Sequence, residues 1–291
     1  MSRETSRGKA CVRQLGKAFK VCPQAYYRSR QRPLREAEQR RRRQGPWASA
    51  SELEVGIERV VEGHPGWGVR KVWAYLRREG LIASRKRIWA VMRAKGWVLP
   101  PIRERQESAR VGQVVVADSN RRWATDLTTA WTRKDGVAAI APVVDCGDRY
   151  VLACEVSKSQ EASVVLFPVE KALRAEFGTP RGVPWGLELR SDHGPQYTGS
   201  DCEALCHYWG IEHTLAPVGR PTGNAVVERL IQTLKVELIW TRDWETIAEL
   251  REAITVWMEQ YNHQRPHQAL DWETPAERRA KNLRRKLELA A

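Results

Sequence analysis

A chain of 291 residues with 42% apolar content is longer than one average domain and can bury a core without disulfide support. Its formal charge of +14 is uneven: residues 1–110 hold 27 Lys and Arg against 10 Asp and Glu, and residues 111–291 hold 22 against 25. No apolar run nears the roughly 20 residues that span a bilayer, and the N-terminus has no signal-like apolar segment, so a cytoplasmic protein is expected.

The basic first third reads as a polyanion-binding arm, although charge alone also suits a membrane surface or simple solubility. Val12, Leu15, Phe19 and Val21, followed by Pro23, Tyr26 and Tyr27, suggest two short helices, half of a helix-turn-helix. Arg40 to Arg43 form an exposed linker or a phosphate-contacting patch. Residues 1–48 are therefore expected to be a basic helical arm.

Residues 49–99 carry a clearer helical pattern. Leu53, Ile57, Val60 and Val61 repeat at helical spacing, His64-Pro-Gly-Trp-Gly68 breaks the chain, and Val72, Trp73 and Leu76 mark a second helix that Gly80 stops. Ser84 caps a third, with Ile88, Trp89, Val91 and Met92 turned inward. Arg85, Lys86, Arg87 and Arg93 are then free to meet DNA. A small helical bundle with a solvated basic face is the alternative.

Pro100, Pro101 and the polar stretch after them read as a linker, residues 100–118. Arg121–Trp131 alternates as a strand, which puts Asp126 mid-strand among small neighbours. Strands follow at Gly136–Asp145 and Arg149–Val156, then a helix at Gln160–Phe177. Leu187–Ser191 is a short strand ending at Asp192, Ser200–Trp209 a helix and Ile211–Leu215 a strand. After the Pro217–Pro221 loop come two long helices, Gly223–Trp240 and Trp244–Tyr261. Three strands followed by helices alternating with short strands form the order of an α/β, ribonuclease H-like domain, expected over residues 119–280, with residues 281–291 as a basic tail.

Six cysteines, Cys11, Cys22, Cys146, Cys154, Cys202 and Cys206, are scattered and read as reduced. A zinc site from Cys202, Cys206, His207 and His213 is conceivable, but no CxxC pair supports it and an ordinary helix face is preferred.

Phosphoryl transfer on DNA needs an attacking oxygen activated and a leaving oxygen stabilised, work that two hard divalent ions held by carboxylates can do. Asp126 in a strand, Asp192 at a strand end and Glu228 in a helix are the candidate ligands. Singly, each has an ordinary explanation: a buried ion pair, a turn cap, a surface acid. Asn224, Glu228, Gln232 and Lys235 form one polar stripe, so the helix could offer a carboxylate to metal and Lys235, with Asn224, to DNA.

Together these residues are recognisable. The chain resembles the OrfB-type DDE transposases of the IS-three family of bacterial insertion sequences, whose catalytic domain is similar to retroviral integrase cores. The resemblance runs through Trp123-Ala-Thr-Asp-Leu127, Val144-Asp145, Ser191-Asp-His-Gly-Pro-Gln-Tyr197, Gly210-Ile211, Asn224-Ala225, Glu228, Leu234-Lys235, Tyr261-Asn262, Arg265-Pro-His267, Leu270 and Pro275, with 35 residues between Asp192 and Glu228. Arg190, Gly223 and Arg229 depart from residues usual in relatives.

The resemblance implies an integrase core preceded by an all-α helix-turn-helix region. It implies a catalytic and metal-binding triad of Asp126, Asp192 and Glu228 holding two Mg²⁺ or Mn²⁺ ions, with Lys235 on the DNA. Its partners would be double-stranded DNA at the element's terminal inverted repeats and at the target, further copies of the chain, and an upstream OrfA partner or fusion, all at the bacterial nucleoid. His193, His213, His263 and His267 are candidate proton carriers, expected to be structural. A DNA-binding regulator using residues 1–98, or a plain ribonuclease H-type nuclease, would each explain only part of the pattern.

Overall fold

The computed structural model describes residues 47–99, 116–217 and 224–290. The proposed N-terminal arm with Arg40–Arg43, most of the linker, and residues 218–223 lie outside the described residues.

Three short helices come first: α1 (Ala50–Gly63), α2 (Val69–Arg78) and α3 (Arg85–Ala94). α1 opens on a capping box, in which Ser49 Oγ accepts from the Glu52 amide and the Ser49 amide donates to the Glu52 carboxylate at 2.8 Å. Ser84 caps α3 as expected. Leu53, Ile57, Val72, Leu76, Ile88 and Met92 close the core of this unit. Trp89 differs from expectation: it is 44% exposed, and Arg93 lies 5.0 Å above its ring. A ten-residue helix packed on two others buries one narrow stripe, and Ile88 and Met92, one turn apart, fill it.

The following strands are β1 (Arg122–Thr125), β2 (Thr128–Thr132), β3 (Gly136–Asp145), β4 (Val151–Ser157), β5 (Glu188–Ser191) and β6 (Glu212–Leu215). β3 pairs antiparallel with β1 and β2 along one edge and with β4 along the other, while β1, β5 and β6 run parallel. This is the ribonuclease H-like arrangement. Helices α4 (Ala162–Phe177), α5 (Pro195–Thr198) and α6 (Ser200–Trp209) cover one face, with Trp123, Val143, Val165, Leu173 and Trp209 in the layer between. α7 (Ala225–Glu237) and α8 (Ile247–His263) cover the other over Ala124, Ile140, Val144, Leu230, Leu234 and Ile254. β3 is buried on both faces, which explains its near-continuous apolar run. Asn262 of α8 bonds both the amide and the carbonyl of Val151 at 2.9 Å, which fixes the first residue of β4 and gives the Tyr261-Asn262 pair a structural role.

The tail expected at 281–291 is not separate. One helix, α9, runs Pro275–Ala290 and lays Arg279, Asn282 and Lys286 on the core. Asn282 donates to the Ala117 carbonyl and Ser119 Oγ, Lys286 donates to the Ser119 carbonyl, and Arg285 pairs with Asp118. Offsets of three and four put Arg279, Asn282 and Lys286 on one helix face, a pattern that a count of basic residues hides.

Candidate active site

The single strand expected at 121–131 is interrupted at Asp126 and Leu127. The register nevertheless runs on without a slip, from Thr125 opposite Val143 to Thr128 opposite Ile140, which sets Asp126 opposite Pro142. Alternation along β3 starts from the Cys146 amide, which donates to the Arg122 carbonyl at 2.9 Å, so every second residue of β3 directs its amide at β1. Residue 142 is one of these, and proline has no N–H to give. The ladder therefore opens where the acid stands, and the Leu127 amide turns to Asp126 Oδ1 at 2.8 Å.

Asp192 follows β5, the parallel neighbour of β1, so adjacent strand ends present both carboxylates at one edge of the sheet. Its Oδ1 accepts from the Gly194 amide at 3.0 Å, and the chain turns directly into α5. Beneath the pair, Tyr197 is buried and its hydroxyl lies 3.3 Å from Thr125 Oγ1. Burial and the Asp192 charge, with a smaller contribution from Glu228, push the Asp126 carboxyl up to about 6, against the Leu127 amide and the Lys235 cation. Like charges brought this close raise each other's cost of ionisation, and a cation between them would relieve it.

Glu228 lies in the first turn of α7 with its side chain exposed, and partial desolvation of its carboxyl moves it upward from the usual value. Among the described residues, no three His, Cys, Asp or Glu side chains stand close enough together to hold a metal ion. Strand pairing brings Asp126 and Asp192 side by side, and Glu228, one turn past residues 218–223, acts on Asp126 through its charge. Lys235, half-buried two turns further along, is close enough to act on Asp126.

Asn224, expected on the DNA, is 5% exposed, and its amide donates to the Thr125 carbonyl at 3.1 Å, which places it behind the strand end that leads to Asp126. It precedes the first turn of α7, where the helical spacing used to place it outside no longer applies. Its Oδ1 is buried with no hydrogen-bond partner among the described residues. Arg87 also turns inward: its guanidinium bonds the Ala48 carbonyl at 3.0 Å. Arg85, Lys86 and Arg93 remain exposed, with Arg85 5.2 Å above the Trp73 ring.

The histidines have structural partners. His193 meets the Ala216 carbonyl at 2.8 Å, His213 meets Ser191 Oγ at 2.9 Å, His263 meets Glu259 at 3.5 Å, and His267 is buried against Tyr261 and Arg265. The conceivable zinc cluster is not formed among the described residues: Cys202 and Cys206 are buried, His207 is exposed, and His213 lies 3.9 Å from the Cys202 sulfur. Arg190, unusual for relatives, bonds Glu188 and Thr214 within the sheet.

Comparison with known proteins agrees with this layout. Two family models described as an integrase core domain match residues 117–221 and 209–275, and one described as an HTH-like domain matches residues 48–106. The transposase for insertion sequence element IS629 of Shigella sonnei is 30% identical over 270 residues, covering 88% of this chain and 87% of that protein. Transposase InsD for insertion element IS2D of Escherichia coli is 28% identical over 240 residues, 78% of each. Among solved structures, the catalytic core domain of BIV integrase aligns with a TM-score of 0.45 and 25% identity, over 58% of this chain and 99% of that one. The chain belongs to the IS-three family of insertion-sequence transposases, DDE-type enzymes that cut DNA and transfer the cut strand.

Proposed function

We propose that Asp126, Asp192 and Glu228 are the catalytic and metal-binding residues of this transposase, and that the cofactor is a pair of Mg²⁺ or Mn²⁺ ions. The observation that carries the reading is the carboxyl of Asp126, raised to about 6 by burial and by the charge of Asp192, with Lys235 near enough to act against the rise. Hard carboxylate oxygens suit such ions, and two of them with water can hold Mg²⁺. When bound, the ions supply activation of the attacking oxygen and charge stabilisation at the leaving one.

The chain's own residues do the rest. Asp126 and Asp192, on adjacent strand ends, would hold the ions, and Tyr197 and Asn224 hold Thr125, the residue before Asp126, through its hydroxyl and its carbonyl. Glu228 joins them from α7 when DNA fills the site. Lys235 pairs with a phosphate beside the cut. Water attacks at the element end, and the released 3′-hydroxyl then attacks a target strand in line. Arg85, Lys86 and Arg93 on the exposed face of α3 contact the terminal repeat. Two element ends per reaction favour assembly of several copies on DNA, with an upstream OrfA-type partner as a further subunit or fusion.

Glu228→Gln tests the assignment, because Glu228 is the member that must move. Cleavage of a duplex carrying the element's ends should fall about a hundredfold or more, equivalent to about 3 kcal/mol of transition-state stabilisation, with DNA affinity in chelator unchanged. Wild-type cleavage by this variant would remove Glu228 from the site. Binding itself should weaken steeply with salt, and Lys86→Ala or Arg93→Ala should each reduce the log–log slope by about one phosphate contact. A slope that neither substitution changes would place the DNA elsewhere.

A further inference from the structure

Arg265-Pro-His267, prominent in the sequence, has no place in the catalytic centre. It lies instead at the seam where the helical unit meets the core, built around Glu237 at the C-terminal end of α7. The Glu237 carboxylate is 6% exposed. It accepts from Arg265 Nη2 at 2.9 Å and Nε at 3.0 Å, and from Lys71 of α2. Burial alone would push the Glu237 carboxyl up, but Arg265 and Lys71 hold it below its usual value. Arg265 is also buried, and its guanidinium lies 3.1 Å from the ring of His267, which packs edge-on to Tyr261 at 4.7 Å.

The fit around this carboxylate is close. The turn between α1 and α2 approaches until a Cβ on Gly66 would lie 3.1 Å from the Glu237 Cα. α2 makes further contacts across the seam, Trp73 against Trp272 at 5.8 Å and Arg78 with Glu277 at 2.7 Å. Lys71 therefore connects the DNA-binding helices to the same helix that carries Glu228. The nine residues from Glu228 to Glu237 span roughly 13 Å and two and a half turns, so the two carboxylates sit on opposite sides of one stiff rod. A shift of Glu237 in its socket rotates the rod and moves Glu228.

We propose that Glu237 is a positioning residue: held by Lys71 and Arg265, it sets the rotation of α7, and so couples the docking of the helix-turn-helix to the approach of Glu228 toward Asp126 and Asp192. The inference rests on Glu228 being catalytic. It assigns the Arg265 motif a mechanical role and makes the helical unit more than a DNA tether.

Lys71→Met removes the tie to the helical unit and leaves the Glu237–Arg265 pair in place. With full-length protein, a terminal-repeat duplex and Mn²⁺, the variant should show a kcat lower by about 5- to 20-fold, the range expected of a coupling residue. The half-saturating Mn²⁺ concentration should rise, and KM for the DNA should stay within about twofold. Lys71→Arg keeps the charge and should restore both values. A purely structural tie would lower the melting temperature and leave the half-saturating Mn²⁺ concentration of the folded protein unchanged; that result, or wild-type kcat in Lys71→Met, overturns the proposal. Glu228→Gln, assayed in parallel, separates the two ideas: an active Glu228→Gln means the assignment of Glu228 fails, whereas an inactive Glu228→Gln beside a wild-type-like Lys71→Met means the coupling alone fails.

Discussion

Asp126→Asn should abolish DNA cleavage and strand joining, and should also raise the melting temperature of the metal-free protein by a few degrees. Both effects follow from one carboxylate. Asp126 is partly buried beside Asp192, and its carboxyl is pushed from 3.8 to about 6. The shift corresponds to a destabilisation on the order of 2 kcal/mol when the group is forced to ionise, after allowance for its partial exposure. Asparagine keeps the shape and the oxygen that meets the Leu127 amide, but drops the charge that repels Asp192.

The sign of the pH dependence follows. A carboxyl whose folded value exceeds its free value binds a proton in the folded state that the unfolded chain has lost between about pH 4 and 6. Its contribution to stability therefore falls as pH rises through that window and is level above it. Differential melting of wild type and Asp126→Asn without metal should show the variant's advantage growing from pH 4 to 6 and constant from 6 to 8. Mn²⁺ should raise the melting temperature of wild type and much less that of the variant, because binding to the folded state alone is stabilising. A variant that melts lower than wild type at pH 7, or that still cuts DNA, would end the view of Asp126 as a strained metal ligand. A site that costs stability until its ligand arrives is the usual form of the stability–activity trade-off.

The sequence disclosed the chemistry of this site better than its packing. One acid in a strand, one at a strand end and one in a helix, with 35 residues between the last two, stand out because type and spacing carry the signal, and the strand order is legible because its polar and apolar periods differ. What was hidden depends on facing partners. The break at Asp126 requires knowing that Pro142 stands opposite, which is a matter of register. Asn224 was placed outside by helical spacing, yet it precedes the first turn of α7 and bonds the Thr125 carbonyl. Trp89 looks like a core residue by type, but the narrow α3 interface is already filled by Ile88 and Met92. Glu237 is one acid among many in the sequence, and only the fold brings Lys71, 166 positions away, against it. The Ser49–Glu52 capping box, by contrast, is legible from residue types and spacing alone.

Arg279→Met is expected to be the most destabilising single change away from the active site, about 3–5 kcal/mol, the range for removing one partner of a buried ion cluster. Arg279 of α9 donates to Asp148 Oδ2 at 2.8 Å, to Asp145 Oδ2 at 3.2 Å and to Asn120 Oδ1 at 3.0 Å, and it also pairs with Glu176. Asp145 and Asp148 are both fully buried at the turn joining β3 to β4, so methionine fills the space while leaving two carboxylates without their cation. A domain stable by about 5–15 kcal/mol would lose about a fifth of that margin or more.

Acid should relieve the loss. Burial and Asp148 already push the Asp145 carboxyl up to about 7, against the Asn120 amide and Arg279. In wild type this group's contribution to stability falls as pH rises from about 4 to 7 and then levels. Without Arg279 the folded value moves higher, so the variant keeps losing stability above pH 7 where wild type no longer does. Urea unfolding at pH 6 and pH 8 should therefore give a larger penalty at pH 8, and adding Asp148→Asn to Arg279→Met should recover much of it. An equal penalty at both pH values, with no recovery in the double variant, would mean that α9 is held by its apolar contacts and that the charges at its base are incidental.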